Sequence, residues 1–587
     1  MDANGQPWFG FSYYAYVPSE LELEDRDGSL RRRLFTTAWE LIPDDLKPYS
    51  RMIPFFIGSA EGFLSFGGAS RQQIRREILE LSDQHAIPIH PYIRMAFDRN
   101  CREWHADMEV PLGDLERMFG EHEHLLGVHI GEMAGEAGFF AEERAYLMRT
   151  IELAARYGKT VSLWDHANLW QVLLLDEEFV DLIRRCPKTF VPLWETNGAK
   201  TAYADQGMPF GLWASGLVER WGVNPQAGWY WFESGFREMW SGRSMSGSEA
   251  KAPDVLWSLM SALGASAGAQ AYFFEGTEGW FWNFRGKFNE SADAEWDPDV
   301  GSIKKVKLPQ TLDLTETFKR AIHPTLKRLL EPGAIPTRQQ VLEQVKVIYR
   351  TKWLPDDTTP VWNPEMFRRM SWATGMYDDL ATLPSFWSLP AEQKKFYMGH
   401  LYPATYGVTH GSDLVPKTSR YYWIPVVSKY ADPSLLPPDK LVVESGQFKK
   451  EDEAKRFFDQ NVPRQDSGSA WVACVGRSVY VFNRHENQPV DDEFHCRIGG
   501  FQLSGRIPAL AFLLATDDGT GLSIYVNNFI GVLDERQMEI QIRSPRPFEV
   551  SLAPADIRSD VKTSPDHMTA EFRLTFNGSA ELRVAVC

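Results

Sequence analysis

The chain has 587 residues, which predicts about two or three domains rather than one. Hydrophobic residues make up 43% of the sequence, enough for a sizeable core. No apolar run reaches the roughly 18 residues that a membrane-spanning helix needs. The net charge of −17 argues against a nucleic-acid partner, because a polyanion would require a basic face.

Strand and helix patterns alternate through the first half of the chain. The predicted strands span 7–17, 51–58, 87–95, 125–132, 159–165, 189–195, 227–233 and 269–275. The predicted helices span 29–42, 71–86, 110–124, 141–158, 176–186, 207–220 and 253–267. Eight such repeats over roughly 320 residues predict a (β/α)8 TIM barrel. The alternative, an open doubly wound sheet, usually carries a glycine-rich first turn that is missing here.

The texture of the sequence changes after about residue 330. Residues 338–350 fit either a strand or a helix, and 366–380 fit a helix. After residue 420, short alternating runs separated by Gly, Pro, Asn and Asp predict an antiparallel β-sandwich. We therefore expect a catalytic barrel over 1–330, a connecting region packed on it over 331–420, and a C-terminal sandwich over 421–587.

Five of the predicted barrel strands end on a carboxylate. Uninterrupted apolar runs are typical of strands buried on both faces, and a charged last residue then lies at the rim where barrel enzymes do their chemistry. The five acidic residues are Glu132, Asp165, Glu195, Glu233 and Glu275. This pattern predicts a carbohydrate-active enzyme, since glycosidic bond cleavage needs two carboxyl groups astride the bond.

Glu132 is the candidate for the general acid, because its apolar neighbours Ile130 and Met133 favour a raised carboxyl pKa. A structural glutamate bonded to loop amides is the alternative. The second carboxylate is either Glu233, as in retaining barrel glycosidases, or Glu275. Retaining families place Asn before the strand-four Glu, and Gly131 at that position counts against retention.

Further polar and aromatic residues near the predicted strand ends are candidates for binding sugar. Each polar residue could equally be scaffolding for the site. The candidates are His90, Arg94, Asp165, His166, Glu195, Asn197, Trp231 and Trp280. No HExxH or paired-histidine spacing occurs, so neither a metal nor a cofactor is predicted. The five cysteines show no CxxC pair or disulfide framework.

Three motifs in order, HIGEMAGEAGFF (129–140), WYWFESGF (229–236) and YFFEGTEGWFW (272–282), followed by an all-β region, resemble glycoside hydrolase family 98. The resemblance implies a barrel joined to a C-terminal sandwich and endo-acting, inverting hydrolysis. It implies Glu132 as general acid and Glu275 as base. A further family acid falls near Glu233, where this chain has Glu instead of the expected Asp. Glu233 would then orient the water or hold Glu275 ionised.

The resemblance leaves the substrate open between two β-1,4-linked glycans. The family includes enzymes that act on substituted xylan and others that act on blood-group glycans. We expect (glucuronoarabino)xylan, because the chain resembles a bare catalytic unit with an aromatic cleft. The alternatives are an endo-β-1,4-galactosidase, a retaining enzyme using Glu132 and Glu233, and a barrel that binds glycans without cleaving them. No signal peptide is visible, and a secreted or periplasmic location follows only from the family's substrates.

Overall fold

In the computed structural model, the residues described are 6–14, 29–55, 71–94, 110–131, 140–164, 173–195, 202–224, 256–274, 294–297, 302–306, 314–351, 425–444, 457, 460–461, 467–483, 490–529, 535–555 and 557–587. Within these ranges, no helix is both long and apolar enough to cross a membrane.

Eight parallel strands close into a barrel in chain order. They are β1 (Trp8–Tyr14), β2 (Ser50–Phe55), β3 (Tyr92–Arg94), β4 (Gly127–Gly131), β5 (Thr160–Trp164), β6 (Phe190–Glu195), β7 (Gly222–Asn224) and β8 (Ala271–Phe274). The helices that follow them are α1 (Ser29–Leu41), α2 (Arg71–His85), α3 (Leu112–Glu121), α4 (Phe140–Arg156), α5 (Glu177–Arg185), α6 (Ala202–Ala214) and α7 (Leu256–Ser266). The predicted TIM barrel is confirmed.

Helix α5 shows how local sequence fixes these elements. The Asp176 side chain caps its N-terminus by accepting the backbone N–H of Phe179 at 3.2 Å. Acidic residues in the first turn and Arg184 and Arg185 in the last turn complement the helix dipole. One face, which includes Phe179 and Ile183, is buried against the barrel. Each end and the inner face of this helix are therefore specified independently.

The predicted bounds of the seventh strand are wrong. The strand begins at Gly222 rather than at 227, and Val223 pairs with Trp194 on β6 and with Tyr272 on β8. Its described part has three residues, too few to form an apolar run, so the sequence pattern favours the aromatic run at 227–233 instead. That run lies outside the described residues. The predicted helix 207–220 also ends early, at Ala214, because Gly216 adopts a positive φ of 75°.

Strand alternation divides the barrel side chains into two sets. An interior cluster consists of Trp8, Ile53, Tyr92, Trp164, Val191, Leu193, Ala271 and Phe273. Intervening residues such as Phe9, Val128, Val223 and Tyr272 pack outward in the core shared with the helices. Following the pairing register once round the barrel from Tyr14 returns to β1 at Gln6, a stagger of eight residues (14 minus 6). Eight is the stagger of TIM barrels.

Beyond the barrel, a small parallel sheet links the two halves of the protein. A two-stranded sheet, β9 (Ala294–Asp297) and β10 (Ser302–Val306), comes first, and a π-helical turn then leads into α8 (His323–Leu329). The segment 338–350 contains a helix, α9 (Arg338–Gln344), and then a strand, β11 (Val347–Thr351), so both alternatives occur in turn. Strand β11 lies between β12 (Val426–Ser428) and β13 (Leu441–Glu444). The predicted helix at 366–380 lies outside the described residues.

The C-terminal part is an antiparallel sandwich, which confirms the second half of the predicted fold. Its strands are β14 (Trp471–Val475), β15 (Ser478–Phe482), β16 (Asp492–Ile498), β17 (Phe501–Ile507), β18 (Phe512–Asp517), β19 (Gly521–Asn527), β20 (Arg536–Arg543), β21 (Phe548–Ala553), β22 (Arg558–Thr563), β23 (Thr569–Phe576) and β24 (Ser579–Val586). The sheet orders are β14-β15-β18-β19-β24-β21 and β16-β17-β20-β23-β22. The sequence pattern predicts β12 and β13 as part of this sandwich, but they pair with β11 instead. The three domain bounds remain predictions.

The six-stranded sheet packs against the barrel through a continuous core. Trp471, Tyr480 and Phe512 belong to the same buried cluster as the outward barrel residue Tyr272. The Tyr480 hydroxyl donates to the carbonyl of Ala334. The guanidinium of the fully buried Arg328 on α8 donates to Thr516 Oγ1 at 2.9 Å and to Ser523 Oγ at 2.8 Å. These contacts favour a sandwich that is a permanent buttress of the barrel.

Candidate active site

Eight of the eleven predicted site residues lie outside the described part of the chain. Glu132 follows the last residue of β4, and Glu275 follows the last residue of β8. The residues that lie outside the described part of the chain are Glu132, Asp165, His166, Asn197, Trp231, Glu233, Trp280 and Glu275. The backbones of Arg94 and Glu195 end β3 and β6. Only His90 is described with its side chain.

His90 lies inside the barrel, below the rim. Its Nε2 is 2.8 Å from the carbonyl oxygen of Val128, and its Nδ1 is 3.4 Å from Arg51 Nη1. The ring stacks on Trp8, and the Arg51 guanidinium lies 4.2 Å from the centroid of Trp8. Burial lowers the pKa of His90 well below its usual value, and the Arg51 charge lowers it further. The imidazole is therefore neutral, and its position favours the scaffolding alternative for this residue.

The stagger of the barrel fixes which interior side chains share a level. A stagger of eight residues over eight strands shifts the register by one residue at each strand. Residues reached by following the register to the opposite strand, four strands away, therefore differ in height by four residues. His129 on β4 and Phe273 on β8 consequently lie at equal height. We call the inward residues of the even-numbered strands at this level the middle layer: Ile53, His129, Leu193 and Phe273.

Within the middle layer, opposite strands are in direct contact. The rings of His129 and Phe273 are nearly parallel, with centroids 4.2 Å apart. His129 is held by a hydrogen bond of 2.9 Å between its Nδ1 and Ser162 Oγ on β5. Burial and the neighbouring His90 hold the pKa of His129 well below its usual value. A neutral imidazole and a phenyl ring thus join β4 to β8 across the barrel axis.

The upper layer is the next level toward the rim. It consists of the inward residues of the odd-numbered strands: Ser12, Tyr92, Trp164 and Asn224. All four side chains are buried. Tyr92 and Trp164 stack with their ring centroids 6.1 Å apart. This layer forms the floor directly below the strand ends that precede Glu132 and Glu275.

Trp164 explains the glycine before Glu132. A Cβ atom at Gly131 would lie 2.4 Å from Trp164 Cε2 and 2.8 Å from its Nε1. The indole therefore occupies the inward space beside Gly131 that an Asn side chain would need. Packing against Trp164 therefore explains why this barrel has Gly131 where the retaining families have Asn.

Ser12 and Asn224 were missed in the sequence analysis. Both are inward, polar and buried; Ser12 lies two residues before the end of β1, and Asn224 ends β7. The run WGVN (221–224) does not fit the pattern of apolar runs that end on a carboxylate, because its last residue is the amide Asn224. A polar residue of any kind at the end of a short apolar segment is the signal that would identify Asn224.

No cluster of three or more His, Cys, Asp or Glu suited to a metal occurs in the described part of the chain.

Two sequence profiles of one enzyme family match this chain. The profile of Glycosyl hydrolase family 98 matches residues 25–283, and the profile of the family's C-terminal domain matches residues 377–564. The chain belongs to glycosyl hydrolase family 98. It is therefore a glycoside hydrolase, and the resemblance carried by the three motifs is confirmed.

Solved structures share the fold of this family 98 chain. One is the catalytic module of a family 98 glycoside hydrolase from Streptococcus pneumoniae TIGR4 in complex with the LewisY pentasaccharide blood group antigen. It has a TM-score of 0.68 and 15% identity, and the match covers 99% of this chain and 98% of that one. A second structure of the TIGR4 module, in complex with the H-disaccharide blood group antigen, has a TM-score of 0.66, 15% identity and the same coverage. No curated protein matches the chain.

Proposed function

We propose that this family 98 enzyme is an endo-β-1,4-galactosidase that cleaves blood-group-type glycans with inversion, with Glu132 as acid and Glu275 as base. The substrate assignment rests on the two structures of the TIGR4 module, which match nearly the whole chain and contain blood-group glycans. Substituted xylan, which the sequence analysis favours, becomes the second candidate. A blood-group substrate also implies a secreted or periplasmic enzyme.

The strands that precede Glu132 and Glu275, β4 and β8, lie opposite each other in the barrel. Glu132 comes three residues after His129, and Glu275 comes two residues after Phe273. Because these two rings meet across the barrel axis, the carboxyl ends of β4 and β8 border the same opening. Inversion requires a gap of about 6.5–9.5 Å between the carboxyl groups, enough for one water. Retention would require about 5–5.5 Å.

The proposed reaction has a single displacement. Glu132 in its acid form donates a proton to the glycosidic oxygen as the bond to the anomeric carbon breaks. Glu275 as carboxylate accepts a proton from the water whose oxygen attacks that carbon from the opposite face. Glu233 would orient the water or keep Glu275 ionised. The proposed sugar contacts at the rim are Arg94, Asp165, His166, Glu195, Asn197, Trp231 and Trp280.

Proton NMR of the first products tests the stereochemistry and the substrate together. The LewisY pentasaccharide and glucuronoarabinoxylan are incubated with the enzyme in parallel. We expect fresh α-anomer from the blood-group glycan only. Fresh β-anomer would indicate retention, with Glu233 as nucleophile, and product from xylan alone would restore the other substrate. No product from either glycan would contradict both substrate proposals.

Two matched variants separate the roles of the carboxyl groups. Glu132→Gln should retain activity on an aryl glycoside with an acidic leaving group, because that substrate needs no proton from the enzyme. Glu275→Gln should lose activity on both kinds of substrate, because the water is no longer activated. The opposite pattern would exchange the two assignments.

A further inference from the structure

Two free cysteines lie on edge strands of the two sheets of the sandwich. Cys474 belongs to β14, at one edge of the six-stranded sheet, and Cys496 belongs to β16, at one edge of the five-stranded sheet. The two edges meet on the same side of the sandwich, where β14 packs against β16. Just before β14, the backbone N–H of Ala470 donates to the carbonyl of Glu493 at 3.0 Å. The strands that carry the two cysteines are therefore held together at this side.

Strand alternation turns both thiols toward the interior of the sandwich. On β14, Val472 lies in the sandwich core, whereas Ala473 and Val475 lie in the core shared with the barrel. Because successive side chains of a strand point to opposite faces, Cys474 lies on the same face as Val472. Cys496 packs against the sandwich core directly. The two side chains therefore enter the space between the sheets from opposite sides.

The sulfur of Cys474 lies against the backbone of β16 beside Cys496. The backbone N–H of Arg497, the residue after Cys496, donates a hydrogen bond to this sulfur. Neighbouring protein atoms screen the sulfur from water and raise the pKa of Cys474, and the bond from Arg497 offsets part of that rise. Burial raises the pKa of Cys496, and the nearby Cys474 raises it further. Two protonated thiols are thus neighbours across the two sheets.

We propose that Cys474 and Cys496 form a disulfide that joins the two sheets of the sandwich, with a small-molecule disulfide as the oxidant. Cys474, which is exposed, reacts first: its thiolate attacks one sulfur of the oxidant and displaces the other as a thiolate. The thiolate of Cys496 then attacks the Cys474 sulfur and releases the second half of the oxidant. Two protein thiols are oxidised, the oxidant is reduced to two thiols, and the two protons lost by the cysteines pass to the released thiolates.

The disulfide would connect the outer sheet to the sheet that packs on the barrel. Trp471 and Val475, on the other face of β14, belong to the core shared with the barrel. The two cysteines are 22 residues apart in the chain (496 minus 474), and a cross-link over that length restricts the unfolded chain. Oxidation should therefore raise the Tm by roughly 5–10 °C. Glycosidase activity should not change, because the pair lies in the sandwich and not at the barrel rim.

Oxidised glutathione is the probe that tests this pair. The full-length enzyme is reduced with dithiothreitol, freed of it, and incubated with oxidised glutathione at about pH 8.5, where thiolates form more readily than at neutral pH. Peptide mapping should find the Cys474 and Cys496 peptides linked, with two hydrogen atoms fewer than the separate thiol peptides, and the Tm should rise. Cys474→Ser and Cys496→Ser should each abolish both changes. Cys587→Ser, the matched control, removes an exposed cysteine elsewhere and should keep both.

Labelling of the unsubstituted enzyme with iodoacetamide gives a readout that needs no variant. Oxidation should protect Cys474 and Cys496 together, and dithiothreitol should restore both to labelling. Glutathione that stays on Cys474 while Cys496 remains a free thiol would overturn the proposal. Linkage of either residue to another cysteine, or no loss of either thiol, would overturn it as well. None of these readouts involves a glycan, so they are independent of the proposed function.

Discussion

Replacing Gly131 by Ala tests the packing that supports the strand before Glu132. The added methyl would lie 2.4, 2.6 and 2.8 Å from three atoms of the Trp164 indole, all closer than side-chain carbons normally approach. The indole is fully buried and stacked on Tyr92, so it has no open space to move into. Either the indole or the end of β4 must shift.

The size of the effect follows from the two possible shifts. Overpacking a close-packed interior costs about 1–3 kcal/mol, which corresponds to a fall in Tm of roughly 2–10 °C for a domain of this size. A displacement of β4 would also move Glu132, and a misplacement of about 1 Å at a reacting group costs about a hundredfold in rate. Gly131→Ala should therefore lower both Tm and kcat/KM.

A double-mutant cycle with Trp164→Phe makes the cause specific. Phe lacks the fused ring that the methyl would strike, although alone it leaves a cavity and destabilises the barrel. We expect the double variant to be more stable than the sum of the single changes, by about 0.5–3 kcal/mol of coupling. Thermal denaturation and initial rates on the cleaved glycan measure both quantities. Gly131→Ala with unchanged Tm and rate, or a coupling of zero, would refute the reasoning.

Three other predictions concern the rest of the molecule. His90 and His129 are neutral in the fold but bind protons near pH 6.5 when unfolded, so stability should fall as pH drops below 6.5, by up to about 4 kcal/mol at pH 5. Urea denaturation at pH 7.5 and 5.0 measures this, and His129→Gln should weaken the dependence. Arg328→Ala should cost about 2–5 kcal/mol by thermal denaturation, because it leaves a cavity and removes the donors to Thr516 and Ser523 that hold α8 to the sandwich, and Lys should not restore the forked contacts. A fragment ending near residue 330 should be insoluble, because the core around Tyr272 would be exposed; a soluble, active fragment would contradict the buttress.

Hydrophobic patterns were sufficient to predict the class of fold. Seven of the eight predicted barrel strands coincide with observed ones, because their apolar runs are long enough to be recognised. The failure at β7 is instructive, since Gly222–Asn224 is defined by its pairing with both neighbours and not by its own composition. The glycine at the start of β7 is itself a consequence of packing: a Cβ there would lie 2.1 Å from the carbonyl oxygen of Ala271. A short strand held by its neighbours leaves little trace in its own residues.

The sequence alone does not predict which residues of different strands lie next to each other at the end of the barrel. Runs ending on acids predict that Glu132 and Glu275 lie at a rim, but not which residues surround them. Phe11 is 263 residues before Phe274 (274 minus 11), and no spacing rule connects the two. They pair only because eight strands staggered by one residue each close on themselves, which brings β1 beside β8. The same closure brings His129 against Phe273 from opposite strands. Contacts of this kind are therefore a property of barrel closure, and no pattern along a single strand records them.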